Sequence, residues 1–240
     1  GISYLGFMKL YYFINQNPNW LAERVFAPAK DAEKLLREQK VPLFSLENFI
    51  PLKDFDIICF ALTEKLQFTT ILNMLDLAQL PIHLRDRSEN YPLIMGIGRS
   101  ALNPEAIADF FDIFVLREGK NFGEILKKIE GYKNEGLKKN DLLLDLSKLN
   151  AVYVPSFYKV ENCEKTPKPI SENIPYSITV NLTEETETKS YTDKRIVPFI
   201  EAGEEGLQIE VFWNDYIRNE DVYSSQNLPN REKSIEQIVR

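Results

Sequence analysis

The sequence predicts an α/β fold: a doubly wound, mainly parallel sheet with helices on both faces, followed by a β-rich extension. Three observations carry this. Short, continuous apolar runs recur at 55–62, 93–97 and 113–116, as in strands covered on both faces. Amphipathic stretches alternate with them, and strand–helix–strand–helix order implies parallel pairing. The texture then changes: residues 151–240 are richer in Pro, Thr, Glu and Asn, with weaker periodicity.

Taken in order, residues 5–16 carry apolar side chains at 5, 7, 8, 10, 12, 13 and 14. They read as a buried helix that Asn17-Pro18-Asn19 stops. Residues 23–27 (ERVFA) read as a short strand. Residues 31–39 read as a helix with Asp31 as its cap. FDIICFAL at 55–62 is the first buried strand. Residues 66–79 place apolar side chains at 68, 71, 72, 75 and 78, a helical stripe. LIMGI at 93–97 is the second buried strand. Asn103 caps a helix with Pro104 in its first turn, running to Phe111. IFVL at 113–116 is the third strand, and 122–132 a further amphipathic helix.

Residues 134–148 read as a turn and a short helix, and 152–158 as a β-rich segment. Residues 161–175, with Pro167, Pro169 and Pro175, read as a linker. Beyond it come a strand at 177–182, a polar loop at 184–193, an alternating strand at 206–212 and a helix at 234–240 capped by Ser234. No internal repeat is evident. Three regions follow: an α/β domain at 1–150, a β-rich segment and linker at 151–195, and a remnant at 196–240.

The 240 residues are 44% hydrophobic and 12% aromatic, ample for a packed core. The net charge of -7 weighs against nucleic-acid binding, because an acidic surface repels phosphate backbones. No apolar run approaches the ~18–20 residues of a membrane span, and no secretory signal is visible. Of the two cysteines, Cys59 sits in an apolar run and reads as a buried thiol. Cys163 sits in a charged stretch and reads as exposed. So placed, they form neither a disulfide framework nor a metal site, and the expected location is a reducing cytoplasm.

Ligands of doubly wound sheets bind beyond the carboxyl ends of the strands. That rule singles out the loops at 1–6, 63–66, 96–103 and 117–121. The candidate cofactor-binding residues are Gly1, Ser3, Gly6, Gly96, Gly98, Ser100 and Gly119. The turn from Gly96 to Ser100 would let backbone approach a corrin or a phosphate; the plainer reading is a tight strand-to-loop turn. Asp109 and Asp112 read as residues lining a helix end rather than as an acid pair. Ser100 and Ser156 lack the His–Asp company of a nucleophile. There is no P-loop, zinc spacing or dinucleotide fingerprint, so no catalytic or metal-binding residue is assigned.

Several segments resemble a family of bacterial radical SAM proteins with an N-terminal B12-binding-type domain. They are Leu21-Ala22-Glu23-Arg24-Val25-Phe26-Ala27-Pro28, Pro42-Leu43-Phe44-Ser45-Leu46-Glu47 and Asn73-Met74-Leu75-Asp76-Leu77-Ala78. Asn103-Pro104-Glu105, Ala108-Asp109-Phe110 and Val152-Tyr153-Val154-Pro155-Ser156-Phe157-Tyr158 complete the set. Gly1-Ile2-Ser3-Tyr4-Leu5-Gly6 is similar to the family's G-x-S-x-L-G loop, which follows a first strand. Nothing precedes Gly1 here, and we read this as truncation.

The resemblance implies cobalamin, a [4Fe–4S] cluster and S-adenosylmethionine as cofactors, and each is weighed against the residues. Ile196-Val197-Pro198-Phe199-Ile200-Glu201 and Ile209-Glu210-Val211 resemble the approach to a radical SAM barrel and its first strand. The family then places a C-x3-C-x2-C loop, whose three thiolates hold the cluster. Residues 213–225 contain no cysteine, and their oxygen ligands suit an iron–sulfur cluster poorly. Pro229 and Arg231-Glu232-Lys233-Ser234 resemble the segment after that loop. One strand and one helix do not close a barrel. The cluster and S-adenosylmethionine are therefore not expected in this chain. The sole histidine, His83, lies outside any D-x-H-x-x-G motif and reads as a structural side chain. Cobalamin without a protein ligand stays open. Arg117-Glu118-Gly119-Lys120 departs from the family's acidic turn, which weakens any transfer of ligand contacts.

Three functions remain: a non-catalytic binding or assembly module, the N-terminal part of a cobalamin-dependent radical SAM enzyme, and a small-molecule-binding α/β domain. A protein partner, or a second copy that completes the sheet, is the expected company.

Overall fold

The computed structural model describes residues 5–63, 67–116, 121–159 and 166–180. Among them, four strands form one sheet in the order β1-β2-β3-β4. They are β1 (Ile57–Ala61), β2 (Leu93–Ile97), β3 (Ile113–Val115) and β4 (Val152–Tyr153). β1 and β2 pair in parallel from Ile57↔Leu93 to Ala61↔Ile97. β2 and β3 continue in parallel from Met95↔Ile113 to Ile97↔Val115, and β4 closes antiparallel with Val115↔Val152. All five residues of β2 are buried, as its continuous apolar sequence requires.

Alternation along the strands sends side chains to two faces. On one face Ile58, Phe60, Ile94 and Phe114 pack with Ile71, Met74 and Leu75 of α3 (Phe68–Leu77). On the other, Leu93, Met95, Ile113 and Val115 meet α4 (Phe122–Glu135) and α5 (Lys139–Ser147) through Ile125, Ile129, Leu142 and Leu146. Leu10 and Ile14 of α1 (Leu5–Asn15) join this second cluster. The fold is the predicted α/β one, mostly parallel with helices on both faces. No helix among the described residues is long and apolar enough to cross a membrane.

Several elements differ from the sequence reading. The helix α2 (Lys30–Gln39) begins after Ala29, so Asp31 is not its cap. Asp31 lies in the first turn, where its charge still favours the positive helix end. The segment Pro104–Phe110 is a 3₁₀ helix rather than an α-helix, interrupted at Ile107, and Asn103 makes no side-chain cap bond. Both Ile107 and Phe111 are drawn into the core there, and 3₁₀ geometry rarely runs long.

Residues 23–27 join no sheet among the described residues, because neighbouring side chains and loops take their backbone groups. Arg24 N donates to Glu47 Oε2 at 2.7 Å, and Arg24 O accepts from Leu46 N at 2.9 Å. Residues 177–180 form no strand, although Ala151 N donates to Thr179 O. Within the expected linker, β6 (Lys168–Pro169) pairs antiparallel with β5 (Tyr158–Lys159). The readings at 184–193, 206–212 and 234–240 lie outside the described residues.

Candidate functional site

The predicted pocket lies at the carboxyl ends of β1 and β2. Gly96 and Gly98 are buried there, and protein atoms fill the space that their missing side chains leave. A Cβ on Gly96 would stand 2.7 Å from Phe114 Cδ1 and 2.8 Å from Leu62 Cδ1. A Cβ on Gly98 would stand 2.9 Å from the Leu62 carbonyl oxygen, and Gly98 adopts φ +116°. Leu62 N donates to Ile97 O at 2.6 Å and Ser100 N donates to Leu62 O at 2.8 Å. The glycines thus let the chain close over its neighbouring strand. Ser100 follows in the short turn Arg99–Leu102 and is partly buried. Gly6 lies in the first turn of α1. Gly1, Ser3 and Gly119 fall outside the described residues.

A groove of about 290 Å³ opens beside the other edge of β1. Val25, Phe26, Leu52, Phe55 and Met74 contribute its apolar walls, and Phe7 reaches it from α1. Thr63 and Gln67 stand at the carboxyl end, joined by a 3.1 Å hydrogen bond from Thr63 Oγ1 to Gln67 Oε1. Cys59 also lines this groove. It is half-buried rather than fully buried as the sequence suggested, because it sits on the edge strand of the described sheet, and desolvation pushes its thiol up to about 12.

Next to the groove, two of the sequence segments meet. Arg24 and Glu47 are both buried and form a 2.6 Å ion pair. The Arg24 guanidinium carbon sits 4.9 Å from the centre of the Tyr11 ring. Burial, and then the Glu47 carboxylate, raises the Tyr11 phenol above its ordinary value. Glu23 accepts hydrogen bonds from Ser45 Oγ and from the Asn48 side chain. These bonds fasten the turn at 44–51, where Ser45 N donates to Ile50 O and Phe44 bridges Pro51. At the tip, Phe49 is 69% exposed and adopts φ +58°, a costly conformation for a bulky side chain. Leu46 is exposed beside it.

At the opposite, amino-terminal end of the sheet, Asp112 is fully buried. It accepts from Ile94 N at 2.8 Å and pairs with Lys139 at 2.7 Å and Arg87 at 3.4 Å. Burial lowers the Arg87 guanidinium, and Asp112 opposes that shift. Asp112 is therefore an anchor between segments, not the lining of a helix end. His83 precedes β2 at this same end, its ring 5.1 Å from that of Phe110. The topology places it across the sheet from Gly98.

Sequence reasoning did not single out Glu23, Arg24, Glu47 or Asn48 as individual residues. The two segments that contain most of them were conspicuous by resemblance, and that was the available signal.

A family model described as radical SAM proteins, N-terminal, matches residues 6–155. The chain belongs to that family. The match spans α1 to β4 and the turns between them, well over half of the sequence. No curated protein and no solved structure matches the chain.

A radical SAM protein holds its cluster through cysteine thiolates. Cys59, on a strand and pushed towards the neutral thiol, does not fit that role. No group of three or more His, Cys, Asp or Glu side chains among the described residues is placed to hold a metal ion. At the glycine turn, packing by Leu62 and Phe114 accounts for both glycines without a corrin.

Proposed function

We propose that this chain is the binding and assembly module of a radical SAM protein and that residues 1–240 do not themselves carry the catalytic cluster. The observation that carries this reading is the closure of the glycine turn over Leu62. At that turn, packing against Leu62 and Phe114 accounts for the glycines without a cofactor. The cysteine content agrees, since two thiols cannot supply three cluster ligands. The fastened apolar tip at Leu46 and Phe49 supports an assembly role. Rigid, exposed aromatic side chains make effective contacts because little conformational entropy is lost on binding. The partner we assign to that tip is the barrel region of a radical SAM protein.

A second reading is the N-terminal part of a cobalamin-dependent radical SAM enzyme: the family match supports its radical SAM part, and cobalamin rests on the sequence resemblance alone. One pair of measurements separates the two. The chain is titrated with hydroxocobalamin, and separately reconstituted without oxygen using iron and sulfide. The assembly reading expects no saturable corrin binding and no stoichiometric charge-transfer absorbance. Saturable corrin binding would replace it with the second reading, and a stoichiometric cluster would end the claim that this chain lacks one.

A further inference from the structure

Ala151 holds a conformation that its side chain disfavours. It adopts φ +57°, the left-handed region in which a Cβ crowds the following carbonyl. It is buried just before β4, at the carboxyl end of β3. Strained backbone of this kind persists only where the surroundings over-determine it. Among the described residues, hydrogen bonds hold this turn on both sides. Leu116 N donates to Ala151 O at 2.8 Å, and Asn121 Nδ2 donates to Asn150 O at 3.0 Å. These two donors flank the stretch 117–120: Leu116 follows β3 and Asn121 precedes α4. The chain leaves the sheet there at the end where doubly wound folds meet their ligands. On the outer side, Ala151 N donates to Thr179 O at 3.0 Å.

The outer acceptor belongs to a segment that meets the domain through a repeated unit. Ile174 is buried, and the next carbonyl, Pro175 O, accepts from the Tyr158 hydroxyl at 2.8 Å. Four residues on, Ile178 packs against the core, and the next carbonyl, Thr179 O, accepts from Ala151 N. Between the two units, Tyr176 is 78% exposed and Ser177 is exposed. A segment with so little buried area opens more readily than a strand of the sheet. We propose that residues 174–180 are a releasable strap on the loop after β3. Latched, the strap keeps Ala151 in its strained turn, and that turn holds both flanks of 117–120. Lifted, it lets Ala151 relax to ordinary backbone, so that Leu116 and Asn121 lose their hold together. This conformational control is independent of the assembly role, because neither Leu46 nor Phe49 takes part in it.

The test is amide hydrogen exchange at Leu116 and Ala151 in the full chain, in Ile178→Ser, and in Ile178→Ser combined with Ala151→Gly. Ile178→Ser should quicken exchange at both amides about tenfold or more, while 93–97 keep their protection and report an intact sheet. Leu116 is the deciding amide, because its bond is to Ala151 O and not to the strap. Glycine adopts positive φ without strain. In the double variant the amide at position 151 should therefore exchange fast while Leu116 stays protected. Tyr158→Phe removes only the hydroxyl that bonds Pro175 O, and should move the same two amides in the same direction. It decides the matter if Ile178→Ser also loses protection at 93–97. The proposal is overturned if Ala151 quickens and Leu116 does not, or if neither amide responds. It is equally overturned if Leu116 quickens as much in the double variant as in Ile178→Ser alone, since strain at Ala151 would then not be the lever.

Discussion

Gly98 shows how little room the strand ends leave. Its φ of +116° and the Leu62 carbonyl oxygen 2.9 Å from any added Cβ act together. Gly98→Ala is expected to cost about 1–3 kcal/mol in urea denaturation, through backbone strain and close contact combined. A neutral result would mean that the turn is open and would return it to the list of ligand sites. Cys59 sets a pH dependence. Its folded thiol is raised to about 12, while in the unfolded chain it ionises near the ordinary value of about 8.5. A raised value favours the protonated form in the native state. The stabilisation is complete below about pH 8.5 and is lost as pH rises towards 12, by at most about 1.4 kcal/mol per pH unit. Cys59→Ser should show a shallower loss over that window than the parent chain, and identical slopes would contradict the assignment.

At the scale of elements, polar pairs, some buried and some exposed, hold segments that hydrophobic pattern alone does not join. Arg24–Glu47 fixes residues 20–29 against the 44–51 turn. Arg37 of α2 donates to Asp76 and Asn73 of α3 at 2.7 Å each. The Tyr153 hydroxyl donates to Glu105, joining β4 to the 3₁₀ segment. Burial, together with that carboxylate, raises the Tyr153 phenol well above its usual range. Removing one member of a buried ion pair typically costs about 3–5 kcal/mol, because a charge is left uncompensated. The Phe49 tip should behave in the opposite way. Its ring contacts Phe44 at 5.7 Å yet stays mostly in solvent, at a strained φ that Asn tolerates better. Phe49→Asn is expected to hold stability within about 1 kcal/mol, since relieved strain offsets the lost ring contact. A loss above about 3 kcal/mol would make Phe49 a core residue and remove it from the proposed partner surface.

For the whole molecule, the α/β architecture was legible because buried parallel strands must be apolar throughout. The runs at 57–61, 93–97 and 113–115 are apolar in that way. Helices with two-sided environments were read well for the same reason, α3 and α4 among them. The 23–27 strand and the Pro104 helix were misread because competing tertiary bonds, to Glu47 and into the core at Phe111, outweigh local preference. The candidate site was legible only in part. Gly96 and Gly98 were found as glycines where backbone approaches closely, but whether a ligand or Leu62 is what approaches depends on a neighbour 34 residues or more away in sequence. The segments around Glu23 and Ser45 resembled a family without revealing that they touch. By itself, then, the sequence determined the layered sheet and its family likeness, since burial and period are local properties of the chain. Only the tertiary structure decided that the glycine turn is closed, that Asp112 is an anchor, and that β1 borders a groove lined by residues from four separate segments. Each of those depends on which distant atoms arrive in van der Waals or hydrogen-bond contact, and no local pattern encodes that.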